Sequence, residues 1–163
     1  AEWFAALKPI PDWVKLLGTR HDPKSYVSRG YIRGAWPGGG MEPLGARIVE
    51  LPKDENRQIM RDPHFGTVAY VPVGSVKRGA ALVTAGGGGK TTACAACHGA
   101  DLKGQADVPD IAGRSPLYLF RQLDGFRTGS RGGMSAALMS PVGAKLTMND
   151  EIDIAAYLAS RPR

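Results

Sequence analysis

The sequence predicts an all-α domain over residues 79–163, preceded by a mostly irregular extension over residues 1–78 with room for one short β-hairpin. From Gly79 onward, apolar residues recur at helical spacing and helix-start signals stand at Ser115-Pro116 and Thr147. Before Gly79, turn residues break the chain every few positions. Glycine (22) and proline (12) together make 34 of the 163 residues, well above their usual joint share of roughly 12%. With 43% apolar and 22% charged residues, the chain can bury one core and is not disordered by composition.

The elements follow in order. Trp3, Phe4 and Leu7 make a short amphipathic start, and Pro9, Pro11 and Pro23 then impose turns. Trp36-Pro37-Gly38-Gly39-Gly40 cannot continue any regular element. Two runs read as extended, Ala46 to Leu51 ended by Pro52, and Gly66 to Val73, because β-branched residues are bounded there by turn residues. They are the candidate hairpin. Gly79 to Ala85 begins a helix that the glycines at 86–89 end, since repeated glycine carries a large backbone entropy cost. Ser115 is a capping residue and Pro116 suits the first helical position; Leu119, Phe120, Leu123 and Phe126 line one face of a helix ending near Gly129. Thr147 to Asp150 resembles a capping box with Asp in place of Glu. Ile152, Ala155, Ala156 and Ala159 give the last helix a buried face of small residues.

The net charge is +6. Residues 1–78 carry twelve basic and eight acidic side chains, and residues 79–163 carry nine and seven. Neither part has a Lys/Arg run interleaved with aromatics, so nucleic acid is not an expected partner. There is no apolar run of 18 residues and no secretory leader at Ala1-Glu2-Trp3-Phe4. The expectation is a chain without a membrane span, either cytosolic or already processed.

The two cysteines stand three apart in Cys94-Ala95-Ala96-Cys97-His98, the C-x-x-C-H spacing for covalent haem attachment. Two thiols on one turn can reach two vinyl groups on one side of a porphyrin, and the next imidazole can reach iron. A zinc site needs four ligands, and His21 and His64 lie in an unrelated segment. A redox dithiol wants a strand-to-helix context that is missing here. A disulfide across three residues closes a strained loop. Methionine is the expected second axial ligand in an electron-transfer haem. Met41 and Met60 sit in the extension and Met148 sits in the capping box. Met139 and Met134 remain, both read as lying in the loop between the two later helices. Met139 is favoured because Ser140-Pro141 stiffens its link to the last helix; the other of the two is then packing.

Residues 79–161 resemble a class I cytochrome c, in particular the C-terminal domain of bacterial di-haem cytochromes c. Gly79 with Leu82 and Val83 is similar to the family's N-terminal helix, and Cys94 to Gly99 to its attachment site. Pro109-Asp110-Ile111-Ala112-Gly113 resembles its post-haem turn. Tyr118, Gln122, Phe126, Gly129 and Arg131 resemble its middle helix, and Met139, Leu146-Thr147 and Ile154 to Ser160 its methionine loop and closing helix. The resemblance implies a class I cytochrome c helical fold around one covalent haem c, with Gly79 and Tyr157 at a helix crossing and the Pro109 carbonyl holding the His98 ring. The implied haem-binding set is Cys94, Cys97, His98, Pro109, Arg114, Tyr118, Arg121 and Met139, with His98 and Met139 on iron. The glycine-rich link from Gly86 to Thr92 departs from the family pattern. Ala1 to Pro9 looks like a second copy of the segment from Ala155 to Pro162, which reads as the remnant end of a preceding cytochrome domain.

The function that follows is one-electron transfer, without catalysis of its own, because an iron with both axial positions filled does not readily bind oxygen or peroxide. Covalent haem attachment takes place outside the cytosol, so the expected location is the periplasm, with a signal peptide already removed. The expected partners are a redox protein donor and acceptor, with the chain acting as a monomer or as a subunit of a redox complex. The alternatives are an electron-transfer subunit docking to a periplasmic dehydrogenase or oxidase through the extension, and a haem peroxidase. Of Arg114, Arg121, Arg127 and Arg131, one or two are candidates to neutralise the haem propionates. Asp110 and Asp124 offset the rest on a solvated helix face.

Overall fold

The computed structural model describes residues 2–8, 10, 13–28 and 32–163. The turns expected at Pro9 and Pro11 lie outside the described residues. The all-α expectation is overturned: the fold is mixed, with 38% helix and 19% strand. The strands lie before residue 73 and the longer helices after it.

After a single helical turn, α1 (Glu2–Ala5), five strands follow: β1 (Val14–Thr19), β2 (His21–Pro23), β3 (Ser25–Val27), β4 (Arg33–Ala35) and β5 (Met41–Pro43). Next come β6 (Val49–Pro52), α2 (Glu55–Ile59) and β7 (Thr67–Pro72). β7 is the centre of a three-stranded sheet, paired parallel to β1 with Val14 opposite Thr67, and antiparallel to β6 with Val49 opposite Tyr70. Alternate residues Thr67, Ala69 and Val71 are buried, the period-2 pattern of a strand with one covered face. The two expected extended runs are thus β6 and β7. They are joined through α2, not through a tight turn. β2 pairs with β5 and β3 with β4 in ladders of three residues. So short a ladder leaves too few alternating positions to read from sequence, and the β1–β7 pairing joins residues some fifty apart.

The helical part begins earlier than expected, at Ser75, with α3 (Ser75–Gly89). Its right-handed course ends before Gly86, because Gly86, Gly87 and Gly88 take left-handed angles (φ 64, 62 and 71°). α4 (Ala95–His98), α5 (Pro116–Thr128), α6 (Ala136–Gly143) and α7 (Met148–Ala159) follow. The Ser115 hydroxyl caps α5 by accepting from Tyr118 N–H at 3.1 Å, and Gly129 ends it at φ 74°. Thr147 and Asp150 form the full capping box of α7. One expectation fails locally: Met139 lies within α6, a short helix that tolerates Pro141, and not in a loop.

α3 crosses α7 at Gly79. A Cβ there would stand 1.9 Å from the Asp153 carbonyl oxygen and 2.8 Å from Tyr157 Cβ, so only glycine permits this approach. Around the crossing, Leu82, Val83, Leu119, Leu123, Leu146, Ile154 and Leu158 form the main core, and Ile48 of the extension packs onto it. Leu44, Val49 and Leu51 form a second, smaller cluster with Tyr70.

Candidate functional site

The single turn of α4 carries the candidate residues because Cys94 already has right-handed helical angles (φ −61°, ψ −36°), so residues 94–98 wind continuously. Cys94 N–H bonds the Val83 carbonyl at 2.9 Å, which hangs the turn from α3, and His98 N–H bonds the Cys94 carbonyl at 2.9 Å. At about 100° per residue, Cys97 and His98 flank Cys94 on either hand, so both thiols and the imidazole emerge from one side of the turn. Gly99 then leaves the helix at φ 84° and ψ 157°. The loop beyond returns to clamp the turn: Gln105 Nε2 donates to the Cys97 carbonyl at 2.9 Å and Gly104 N–H to the His98 carbonyl at 2.9 Å. At Gly104 (φ 82°) a Cβ would stand 2.5 Å from the Val108 carbonyl oxygen.

His98 is buried, with 7% of its surface exposed, and its Nδ1 lies 2.7 Å from the Pro109 carbonyl oxygen. A carbonyl can only accept, so Nδ1 carries the proton and Nε2 keeps its lone pair in the neutral ring. Cys94 is half-buried and Cys97 exposed, and both are free thiols. Burial, reinforced by the neighbouring Cys97, pushes the Cys94 thiol up to about 11. That is the reverse of the activated thiolate a redox dithiol needs.

Met139 packs against the main core, on the same cluster as Cys94, Ala95 and Ile111. Met134 is 99% exposed. Two free thiols on one turn, an imidazole with its lone pair available, and a thioether on the shared apolar core make a donor set that fits a covalently attached haem. Among the described residues no group of three or more His, Cys, Asp or Glu side chains is placed to hold a metal ion.

The arginines divide. Arg127 bonds buried Glu151 at 2.9 Å and also pairs with Asp124. Arg131 stacks on the Phe126 ring at 4.7 Å and bonds Gln122. Arg114 Nε bonds the Asp110 carbonyl and carboxylate at 2.8 and 3.0 Å. Arg121 and Tyr118 are exposed, three residues apart on α5. Reading the sequence missed Gln105 and Glu50. Gln105 is polar and outside any motif, and nothing in the strand run around Glu50 indicates that its carboxylate accepts a hydrogen bond from Ser115 Oγ at 2.6 Å.

Comparison with known proteins bears on the same segment. The family profile described as cytochrome c matches residues 76–162. Cytochrome c-554(548) of Halomonas halodenitrificans is 42% identical over 78 residues, covering 47% of this chain and 94% of that protein. The thiosulfate dehydrogenase electron acceptor of Stutzerimonas stutzeri is 39% identical over 87 residues, covering 52% of this chain and 39% of that protein. A solved structure of cytochrome c4 from Acidithiobacillus ferrooxidans aligns with a TM-score of 0.49 and 33% identity over 53% of this chain and 49% of that one.

Proposed function

Because the chain belongs to the cytochrome c family, whose members bind covalently attached haem c and carry electrons, we propose that it is a periplasmic one-electron carrier. In this reading Cys94 and Cys97 would hold haem c covalently, and His98 and Met139 would hold its iron. The observation that carries it is the buried His98 ring, held by the Pro109 carbonyl at 2.7 Å so that Nε2 is the free donor. When bound, the haem supplies a one-electron ferric/ferrous couple.

The chain's own residues do the rest. Pro109 fixes the tautomer and orientation of His98 and raises its basicity. The Met139 thioether, being neutral and soft, favours the ferrous state. Leu102, Leu119 and Leu123, all buried in the main core, keep water out. Arg114, whose Nε alone is bonded to Asp110, and Arg121, exposed on α5 with Tyr118, are the residues offered to the propionates. In this reading residues 79–163 are the haem domain and residues 1–78 an extension, from which Ile48 packs on the haem domain's core. The name of the Stutzerimonas stutzeri relative, an electron acceptor of thiosulfate dehydrogenase, supports a redox protein donor and acceptor as partners, a dehydrogenase among them. Among the described residues no helix is long and apolar enough to cross a membrane.

Ferric and ferrous absorption spectra of Met139→Ala and Met134→Ala test the reading. Met139→Ala is expected to lose the near-infrared sulfur-to-iron band and Met134→Ala to keep it. The opposite pattern overturns the ligand assignment, and rapid carbon monoxide binding by the unmutated ferrous protein overturns the carrier reading.

A further inference from the structure

One carboxylate of the extension hydrogen-bonds to the helical part. Glu50 sits on β6, where its backbone pairs opposite Ala69. Its Oε1 accepts from the buried Thr67 hydroxyl at 2.8 Å, and its Oε2 accepts from Ser115 Oγ at 2.6 Å, across 65 positions of sequence. Among the described residues neither oxygen has a cation within ion-pair distance. Both are held by hydroxyls, so the negative charge is fixed in place but not neutralised. Ser115 Oγ gives its only proton to Glu50 and accepts Tyr118 N–H. A hydroxyl that donates to a carboxylate is a stronger acceptor, so the carboxylate reinforces the cap of α5 through Ser115.

That cap closes the turn that opens at Pro109, the residue holding His98. Between the two ends, Ile111 and Ala112 N–H bond the Leu102 carbonyl, and Gly113 N–H bonds the Leu158 carbonyl. Every stretch of the turn is therefore pinned, and its last anchor comes from outside the segment that the cytochrome c profile matches. Ile48, two residues before Glu50, packs on the main core and holds the strand there.

We propose that Glu50 is a positioning residue for electron transfer. Held between Thr67 and Ser115, its uncompensated charge lowers the reduction potential of the haem domain and anchors the turn that orients His98. The inference rests on the haem reading above. The ferric site carries one more positive charge than the ferrous one, so a carboxylate fixed at the far end of the turn that holds His98 favours the oxidised form.

The test is a potentiometric titration of the haem-loaded chain and of Glu50→Gln, Ser115→Ala and the double variant. Glu42→Gln serves as control, because Arg47 already pairs with Glu42 at 3.0 Å. Glu50→Gln is expected to raise the midpoint potential, more at low than at high ionic strength. Ser115→Ala is expected to raise it less, and Glu50→Gln in the Ser115→Ala background is expected to do less than in the parent. An unchanged midpoint in Glu50→Gln, an equal rise in Glu42→Gln, or full additivity in the double variant overturns the proposal. If Glu50→Gln does not hold haem, an unchanged midpoint in Ser115→Ala overturns it alone. A chain that takes up no covalent haem overturns the haem reading instead, a result visible in the absorption spectrum before any titration.

Discussion

Arg78 of α3 and Asp153 of α7 form a two-pronged ion pair, Nε to Oδ2 at 2.7 Å and Nη2 to Oδ1 at 2.8 Å, one residue from the glycine that lets the two helices touch. Asp153 is nearly buried and Arg78 is half-exposed. The hydrogen bonds to Asp153 raise the Arg78 pKa further, so the pair stays ionised wherever the carboxylate does. Replacing Arg78 by Leu leaves a buried acceptor unsatisfied, and the expected loss is about 1–3 kcal/mol. Denaturant unfolding of the haem-loaded chain measures it, and a midpoint equal to the parent's would show that solvent takes over the bonding.

Gly79→Ala tests the crossing directly. A methyl group 1.9 Å from the Asp153 carbonyl oxygen forces the helices apart, and overpacking of this kind costs about 1–3 kcal/mol or more. Gly88→Ala is the contrast: its Cβ would enter open space, and only the left-handed φ of 71° opposes it. The expected order of thermal midpoints is parent, Gly88→Ala, Gly79→Ala.

Glu151 gives a pH signature. Its side chain is fully buried, and Oε2 has no hydrogen-bond partner among the described residues. Burial raises its pKa above the ordinary 4.5, against the opposing pull of Arg127. The folded chain therefore keeps this proton to higher pH than the unfolded one does. The stability contributed is complete below pH 4.5 and declines as pH rises through the raised value. Asp150 runs the other way: burial raises its pKa, but Lys90 and Thr147 outweigh that and lower it, so its contribution is lost as pH falls. Glu151→Gln is expected to flatten the decline above pH 4.5 and leave the acid limb unchanged. Thermal melts across pH show this, and an unchanged profile sinks the assignment.

Among the arginines, Arg121→Gln is expected to lower the haem midpoint potential by removing a positive charge from the exposed face of α5. Arg131→Gln is expected to lower it less, because that guanidinium is held on Gln122 and the Phe126 ring and not on a propionate. Equal shifts in both variants would mean that only net charge is being read.

The spacing of Cys94, Cys97 and His98, the cap and proline that start α5, and the box that starts α7 were all legible because each depends on residues within one or two turns of each other. A thiol pair on a turn needs no distant partner to be recognised. The strands of the extension were not legible beyond β6 and β7. β1 pairs parallel with a strand some fifty residues away, and the three-residue ladders of β2 to β5 gain their stability from neighbours, not from local pattern. The choice between Met134 and Met139 in sequence rested on a proline. Met139 packs on the core and Met134 stands in solvent, a difference in burial that no local pattern announces. The Glu50 to Ser115 bond lay wholly beyond local reading, since a hydrogen bond across 65 positions exists only after both cores have formed and brought β6 to the cap of α5. Sequence alone determined the chemistry this chain can carry, because that chemistry is local. The three-dimensional packing decided which distant side chains surround it, because burial and long-range hydrogen bonds depend on the whole chain.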